Sequence, residues 1–224
     1  AVYWQLNDCW PVASWSSIDY FGRYKALHYA AKRFFAPVLA SACEDGTKVS
    51  LHVTNEAMTP VSGTLEWTLR DTGSGIIKKA SIKVTVNALS SKEAVDLDFE
   101  ADLPTLESKR NTYLEFRFTS DSRVESRGTV LFVKSKHFGF IAPEIKLDVI
   151  EADDCFNIKV SSKAFAKFVE LDLAQGDAIF SNNYFDLSAG DDIQIKVMKE
   201  NISKKLTLQE FKEQLKVRSL FDTY

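Results

Sequence analysis

Cysteine is scarce in this chain, and what there is forms no pattern. Cys9, Cys43 and Cys155 are far apart and odd in number, which excludes a disulfide framework of the kind that staples small secreted domains. No Cys-x-x-Cys pair or Cys/His cluster offers zinc ligands. Cysteine usage therefore leans towards a reducing compartment, and a cytoplasmic location is expected. Charge of one sign is lacking too. The 28 Lys and Arg against 31 Asp and Glu leave a net charge of −3, which gives no reason to expect nucleic acid or an anionic membrane as partner. No apolar run approaches the length of a membrane span, and no basic segment followed by an apolar one marks a signal peptide. The single sequon, Asn201-Ile202-Ser203, is no more than chance supplies. Gly-x-Ser-x-Gly, Gly-x-Gly-x-x-Gly and the P-loop are all missing, so neither a nucleophile elbow nor a phosphate cradle is legible.

What is present is concentrated at the start. Trp4-Gln5-Leu6-Asn7-Asp8-Cys9-Trp10-Pro11 is followed by Trp15, so three of the four tryptophans fall in twelve residues. Indole faces stack on the C–H faces of pyranose rings, and amides and carboxylates bind hydroxyls, so such a loop suits sugar recognition. Residue 1 is Ala; a domain rarely begins with its chemistry, and the expectation is that something upstream is missing.

The 224 residues, 45% hydrophobic, can bury one large core or two ordinary ones. Residues 1–6 read as a short buried strand, 7–18 as a loop, and 19–35 as a helix. The helix is carried by Tyr20, Tyr24, Leu27, Ala31 and Phe34 or Phe35 at spacings of three and four. Asp19 suits its N-cap, Lys32 and Arg33 its C-terminal end, and Pro37 stops it. From there the period switches to two. Strands are predicted at 38–42, 48–54, 63–70, 79–86, 93–100, 112–119 and 128–133, the signature of an antiparallel sandwich. Residues 139–143 read as a junction. A second set follows at 144–150, 155–161, 168–173, 177–180, 191–197 and 217–224, with 208–215 as a short helix by propensity. The fold class is thus mainly β: two immunoglobulin-like sandwiches, 37–138 and 139–224, after a strand–loop–helix unit, 1–36.

Each candidate for chemistry has a plainer reading beside it. Asp8 would bind a sugar hydroxyl or hold the loop, or else cap a turn ahead of Pro11. Trp4 would floor a pocket, or simply pack in a core; Trp10 and Trp15 divide the same way. Asp96, Asp98, Glu100 and Asp102 alternate with apolar residues, which marks the solvated face of a half-buried strand rather than a calcium site. His28 reads as a packed side chain. His52 and His137 have no acid or nucleophile at a useful spacing. Tyr184 and Phe185, beside Asn182-Asn183, read as core or contact residues before exposed glycan binders.

At residues 4–37 the chain resembles a family. Trp4-Gln5-Leu6-Asn7-Asp8-Cys9-Trp10-Pro11, Ser14-Trp15-Ser16, Asp19-Tyr20, Gly22, Lys25-Ala26-Leu27, Tyr29 and the run Lys32 to Pro37 are similar to the end of the catalytic domain of β-mannosidases of glycoside hydrolase family 2. Phe180-Ser181-Asn182-Asn183-Tyr184-Phe185-Asp186-Leu187 resembles a stretch of the last immunoglobulin-like domain of the same enzymes. The resemblance implies that 1–36 is the last βα unit of a (β/α)₈ barrel and that the two sandwiches are accessory domains. It also implies a retaining hydrolase of terminal β-mannose that needs no cofactor or metal. Its two carboxylates, held about 5–5.5 Å apart, would both lie upstream of Ala1, so no catalytic residue is expected here. Trp4 would contact the sugar, with Asn7, Asp8 and Trp10 as neighbours of the pocket. The parent's partner would be a mannose-containing oligosaccharide, and a homodimer is an open possibility. Sister activities (β-galactosidase, β-glucuronidase) and a carbohydrate-binding module stand as alternatives. Freed of barrel neighbours, residues 1–35 are expected to dock on the first sandwich, to pair with another copy or to move.

Overall fold

The computed structural model describes residues 2–121 and 123–223. It divides into two compact units, one of residues 33–141 and one of residues 1–32 together with 142–224. Both are mainly β, and among the described residues the named strands pair antiparallel.

The first helix of the chain, α1 (Ala26–Phe34), is shorter than expected. Gly22 sits at φ +83°, and Asp19 accepts hydrogen bonds from the backbone N–H groups of Phe21 and Arg23. Asp19 therefore caps a tight turn rather than the helix, and residues 19–25 stay outside it. The buried residues of α1 are Tyr29 and Ala31, while Phe34 and Phe35, read as part of the apolar stripe, are exposed. The strand expected at 1–6 is not formed over the described residues 2–6. The backbone there is irregular, with single bridges joining Asn7 to Ile18 and Ile18 to Tyr24; a lone extended segment has no neighbour to complete a ladder. Ala1 lies outside the described residues.

Unit 33–141 holds β1 (Val38–Asp45), β2 (Lys48–Asn55), β3 (Val61–Asp71), β4 (Ile76–Val86), β5 (Ser90–Asp98), α2 (Leu106–Arg110), β6 (Thr112–Ser120) and β7 (Arg123–Leu131). They form two sheets, β1-β2-β5 and β4-β3-β6-β7. Alternation turns Val49, Leu51 and Val53 of β2 inward, and Leu65, Trp67 and Leu69 of β3 face the same core. Register places Leu65, Trp67 and Leu69 opposite Phe118, Phe116 and Leu114 of β6, so three rungs of large side chains fill the space between the sheets. Gly128 of β7 is opposite Phe116, and a Cβ there would stand 2.5 Å from the ring. Asn55, fully buried at the end of β2, donates to the carbonyls of Thr59, Val86 and Asn87 and accepts from Ala57 N–H. It ties three chain segments by satisfying groups that the strand ends leave over. Asp96, Asp98 and Glu100 are exposed, as the alternation predicts.

In the other unit are β8 (Lys146–Glu151), β9 (Cys155–Ser161), β10 (Ala166–Leu173), β11 (Ala178–Phe180), β12 (Phe185–Leu187), β13 (Asp192–Ile202), α3 (Leu208–Gln214) and β14 (Leu215–Arg218). Their sheets run β11-β13-β9-β8 and β12-β10-β14. Phe156 and Ile158 of β9 sit opposite Val197 and Ile195 of β13, all buried. The helix predicted over 208–215 exists. Thr207 and Glu210 form a capping box at its start, and Phe211 stacks on Phe156 at 4.2 Å. The strand predicted over 217–224 ends at Arg218, and Leu220–Thr223 turn as a 3₁₀ helix. Tyr224 lies outside the described residues.

Candidate functional site: the tryptophan-rich loop

Residues 2–25 wrap around a polar knot rather than an apolar one. Asp8 is buried, and its carboxylate accepts from Ser14 Oγ at 2.5 Å and from Lys25 Nζ at 3.1 Å. Lys25 also donates to Ser16 Oγ at 2.8 Å and to the Ser14 carbonyl at 3.3 Å. Hydrogen bonds from Ser14 and Ser16, together with the Lys25 ammonium, hold the Asp8 carboxyl below its ordinary range. Of the three readings of Asp8, these contacts are those of a loop holder; its oxygens are engaged within the chain, away from solvent.

A second set of bonds pins the segment around Trp4. Ile18 and Ser17 N–H donate to Leu6 O at 2.8 and 3.1 Å, and Asp8 N–H to Ile18 O at 3.0 Å. Ser17 Oγ donates to the same Leu6 carbonyl at 2.9 Å and lies 3.1 Å from the Tyr3 hydroxyl and 3.2 Å from His28 Nδ1. With its one proton on Leu6, Ser17 accepts from Tyr3 and from a His28 protonated at Nδ1. Burial, and then the neighbouring Lys32, lower the pKa of His28.

The large side chains point the other way. Trp4, Trp10 and Trp15 are 74%, 66% and 68% exposed, and Tyr20 and Phe21 are also in solvent. Asn7 is exposed, with Nδ2 donating to the Asp8 carbonyl. The structure therefore collects Trp4, Asn7 and Trp10 on the outside of a loop whose inside is Asp8. Core packing, the plainer reading of the tryptophans, does not describe them.

Sequence reasoning did not foresee what holds this loop in place. Residues 1–35 were expected to dock on the first sandwich, to self-pair or to move; residues 1–32 are instead one unit with the second. Tyr29, 4% exposed, packs at a tilt against Tyr184 at 6.0 Å between ring centres and hydrogen-bonds the Phe180 backbone and the Asn183 side chain. Lys32 Nζ donates to Ser181 O at 2.8 Å, and Arg23 reaches Asp177 at 3.8 Å. The Phe180–Leu187 stretch is thus the seat of α1. Tyr184 is oriented by a 2.6 Å bond to Glu170, itself paired with Arg218, and Phe185 is buried. Neither serves as an exposed glycan-binding aromatic. Among the described residues no cluster of three or more His, Cys, Asp or Glu could hold a metal, and no helix is long and apolar enough to cross a membrane.

Comparison with known proteins places this geometry in context. A family model described as a mannosidase Ig/CBM-like domain matches residues 47–137, and an Ig-fold domain model of mannosidases matches 140–223. The β-mannosidase of Capra hircus is 28% identical over 233 aligned residues, covering 100% of this chain and 26% of its own length. Beta-mannosidase A of Aspergillus terreus is 27% identical, covering 99% of this chain and 25% of its own length. The chain thus spans about a quarter of the length of these curated relatives. Among solved structures, the beta-D-mannosidase of Dictyoglomus thermophilum superposes with a TM-score of 0.83 at 21% identity, over 97% of this chain and 26% of that one. The exo-chitosanase CsxA of Amycolatopsis orientalis does so with a TM-score of 0.68 at 15% identity, over 97% of this chain and 29% of that one. At these identities the superpositions speak to the fold alone.

Proposed function

This chain belongs to the β-mannosidase family, carrying its two immunoglobulin-like domains, and we propose that it completes and braces the sugar site of a longer, retaining β-mannosidase of glycoside hydrolase family 2. In this reading residues 1–36 are the last βα unit of a (β/α)₈ barrel, whose first residues form their strand only beside the neighbouring strands of the longer enzyme and whose βα loops form the active-site face. Trp4 lies against the terminal mannose, Trp10 and Asn7 form the rim, and Asp8 acts from behind by fixing the loop. The two catalytic carboxylates that such an enzyme needs, about 5–5.5 Å apart in retaining glycosidases, belong to parts of the enzyme outside these residues, which are about a quarter of the relatives' length. The chain by itself is then non-catalytic. The enzyme works in the cytoplasm, without cofactor or metal, on β-mannose at the end of an oligosaccharide.

The observation that carries this reading is the orientation of the loop. Its polar side chains close on one another inside, while three indoles project outward. A stacking platform for a sugar must be both exposed and fixed, and a loop tied by charge-assisted hydrogen bonds can be both. Aromatic faces on an ordered frame also lose little conformational entropy when a ligand arrives.

The test compares two proteins on a nitrophenyl β-mannoside: this chain alone and a longer polypeptide that contains it. Turnover by the longer protein and none by the chain is the expected pair of results. Enzyme-like turnover by the chain alone would overturn the reading, as would a longer protein that cleaves only β-galactosides or β-glucuronides.

A further inference from the structure

A contiguous set of contacts leads from the second sandwich to the backbone on either side of Trp4. It begins at Arg218 and Glu170, which orient the Tyr184 hydroxyl. The Tyr184 ring meets Tyr29 of α1, whose hydroxyl is bonded to Asn183 and the Phe180 backbone. Tyr29 in turn meets Tyr24 edge-on at 5.9 Å between ring centres, and His28, the residue before Tyr29, packs on Tyr24 at 4.1 Å and meets Ser17 at 3.2 Å. Ser17, fully buried, reaches Tyr3 at 3.1 Å and Leu6 O at 2.9 Å, one residue before and two residues after Trp4. The two ends are fixed differently. Tyr184 sits at φ +53° with its N–H on Asn183 Oδ1, whereas the Trp4 segment lies outside the named strands and is tied to residues 17 and 18 by these bonds and by the backbone bonds of Ser17 and Ile18 to Gln5 and Leu6.

We propose that the second sandwich positions the Trp4 segment through Tyr184, Tyr29, His28 and Ser17, making these positioning residues for the sugar site. The proposal rests on the reading of Trp4 as a sugar platform, but its structural half stands apart from that reading. An accessory domain would then contribute to substrate binding without touching substrate. Loosening the seat of α1 would weaken sugar affinity, because a mobile platform must be ordered each time a sugar binds.

Amide hydrogen exchange on the intact 224-residue chain tests it. The reporters are the N–H groups of Asp8, Ser17 and Ile18, which close the Trp4 segment. Tyr29→Ala is expected to speed their exchange by about tenfold or more while β9 and β13 amides keep their protection. Reporter amides unchanged in Tyr29→Ala would overturn the proposal. If that variant loosens the whole unit, Tyr29→Phe and Ser17→Ala decide instead: faster reporters in either supports the relay, and unchanged reporters in both refute it. In the longer enzyme, Ser17→Ala should raise KM for a nitrophenyl β-mannoside several-fold with kcat nearly constant; a fall in kcat alone would count against positioning. If the longer enzyme does not cleave β-mannosides, the functional reading fails while the exchange result still judges the relay.

Discussion

Replacing Asn183 with Ala removes a side chain that acts as a short piece of strand. Its Oδ1 accepts from Leu171 N–H at 2.7 Å and its Nδ2 donates to Leu171 O at 2.9 Å, so one side chain satisfies both backbone groups of a residue in the middle of β10. Oδ1 also takes the Tyr184 N–H at 3.1 Å. Asn183 is 4% and Leu171 2% exposed, which leaves water poorly placed to substitute. Truncation strands these three backbone groups, each worth about 1–3 kcal/mol when buried and unsatisfied, and takes one partner from the Tyr29 hydroxyl. Allowing for partial relaxation, the loss should be about 3–5 kcal/mol, a large fraction of the about 5–15 kcal/mol that holds a typical domain. Urea denaturation followed by far-UV circular dichroism measures it, with exchange at the Leu171 amide as the local reporter. Asn183→Asp keeps the acceptor but sets a carboxylate against the Leu171 carbonyl, so it should not rescue the loss. A cost for Asn183→Ala below about 1 kcal/mol would show that the amide is not acting as a strand surrogate.

Other consequences are as definite. Gly128→Ala places a Cβ 2.5 Å from the buried Phe116 ring; overpacking there should cost about 1–3 kcal/mol in thermal unfolding, and a change within about 0.5 kcal/mol would contradict the close approach. Burial pushes the Tyr29 hydroxyl up from 10.0 to about 12. The folded state thus holds this proton more tightly, and the stabilisation, complete below pH 10, is lost as pH rises from 10 to about 12. The loss should amount to about 2–3 kcal/mol, with Tyr29→Phe flattening that part of the stability–pH curve; an equal slope in both proteins would refute the assignment. The Asp8 carboxyl should titrate with a midpoint below its ordinary 3.8 in an NMR titration. The Lys25–Asp8 contact therefore persists as pH falls to that value and is lost only at lower pH; a midpoint at or above 3.8 would dissolve the knot as described.

Much of the fold was legible because its signals are local. All seven strands of the first sandwich appear near the predicted places; burial alternates most cleanly in β2, β3 and β6. The helix at 208–215 was legible from propensity, and Thr207 with Glu210 three residues on marks its start more sharply than propensity does. Phe185–Leu187 was missed as a strand because three residues carry too little period to read. The helix start was misplaced because Asp19 is as good at closing a turn as at capping a helix, and Gly22 allows the turn. At the site, the density of tryptophans marked the loop but left open whether they pack or project, and the role of Asp8 depended on Lys25 folding back across seventeen positions. The seat of α1 on Phe180–Leu187 joins segments about 150 residues apart, and no local pattern encodes such a contact.

The most direct test of the account is Trp4→Ala in the longer enzyme, with kcat/KM measured on a nitrophenyl β-mannoside. Loss of a sugar-stacking face should lower kcat/KM by about 100-fold, equivalent to about 2.7 kcal/mol of transition-state binding, with the thermal unfolding midpoint unchanged because the ring is already in solvent. An unaltered kcat/KM in a well-folded Trp4→Ala enzyme would contradict the claim that this loop is a wall of the sugar site.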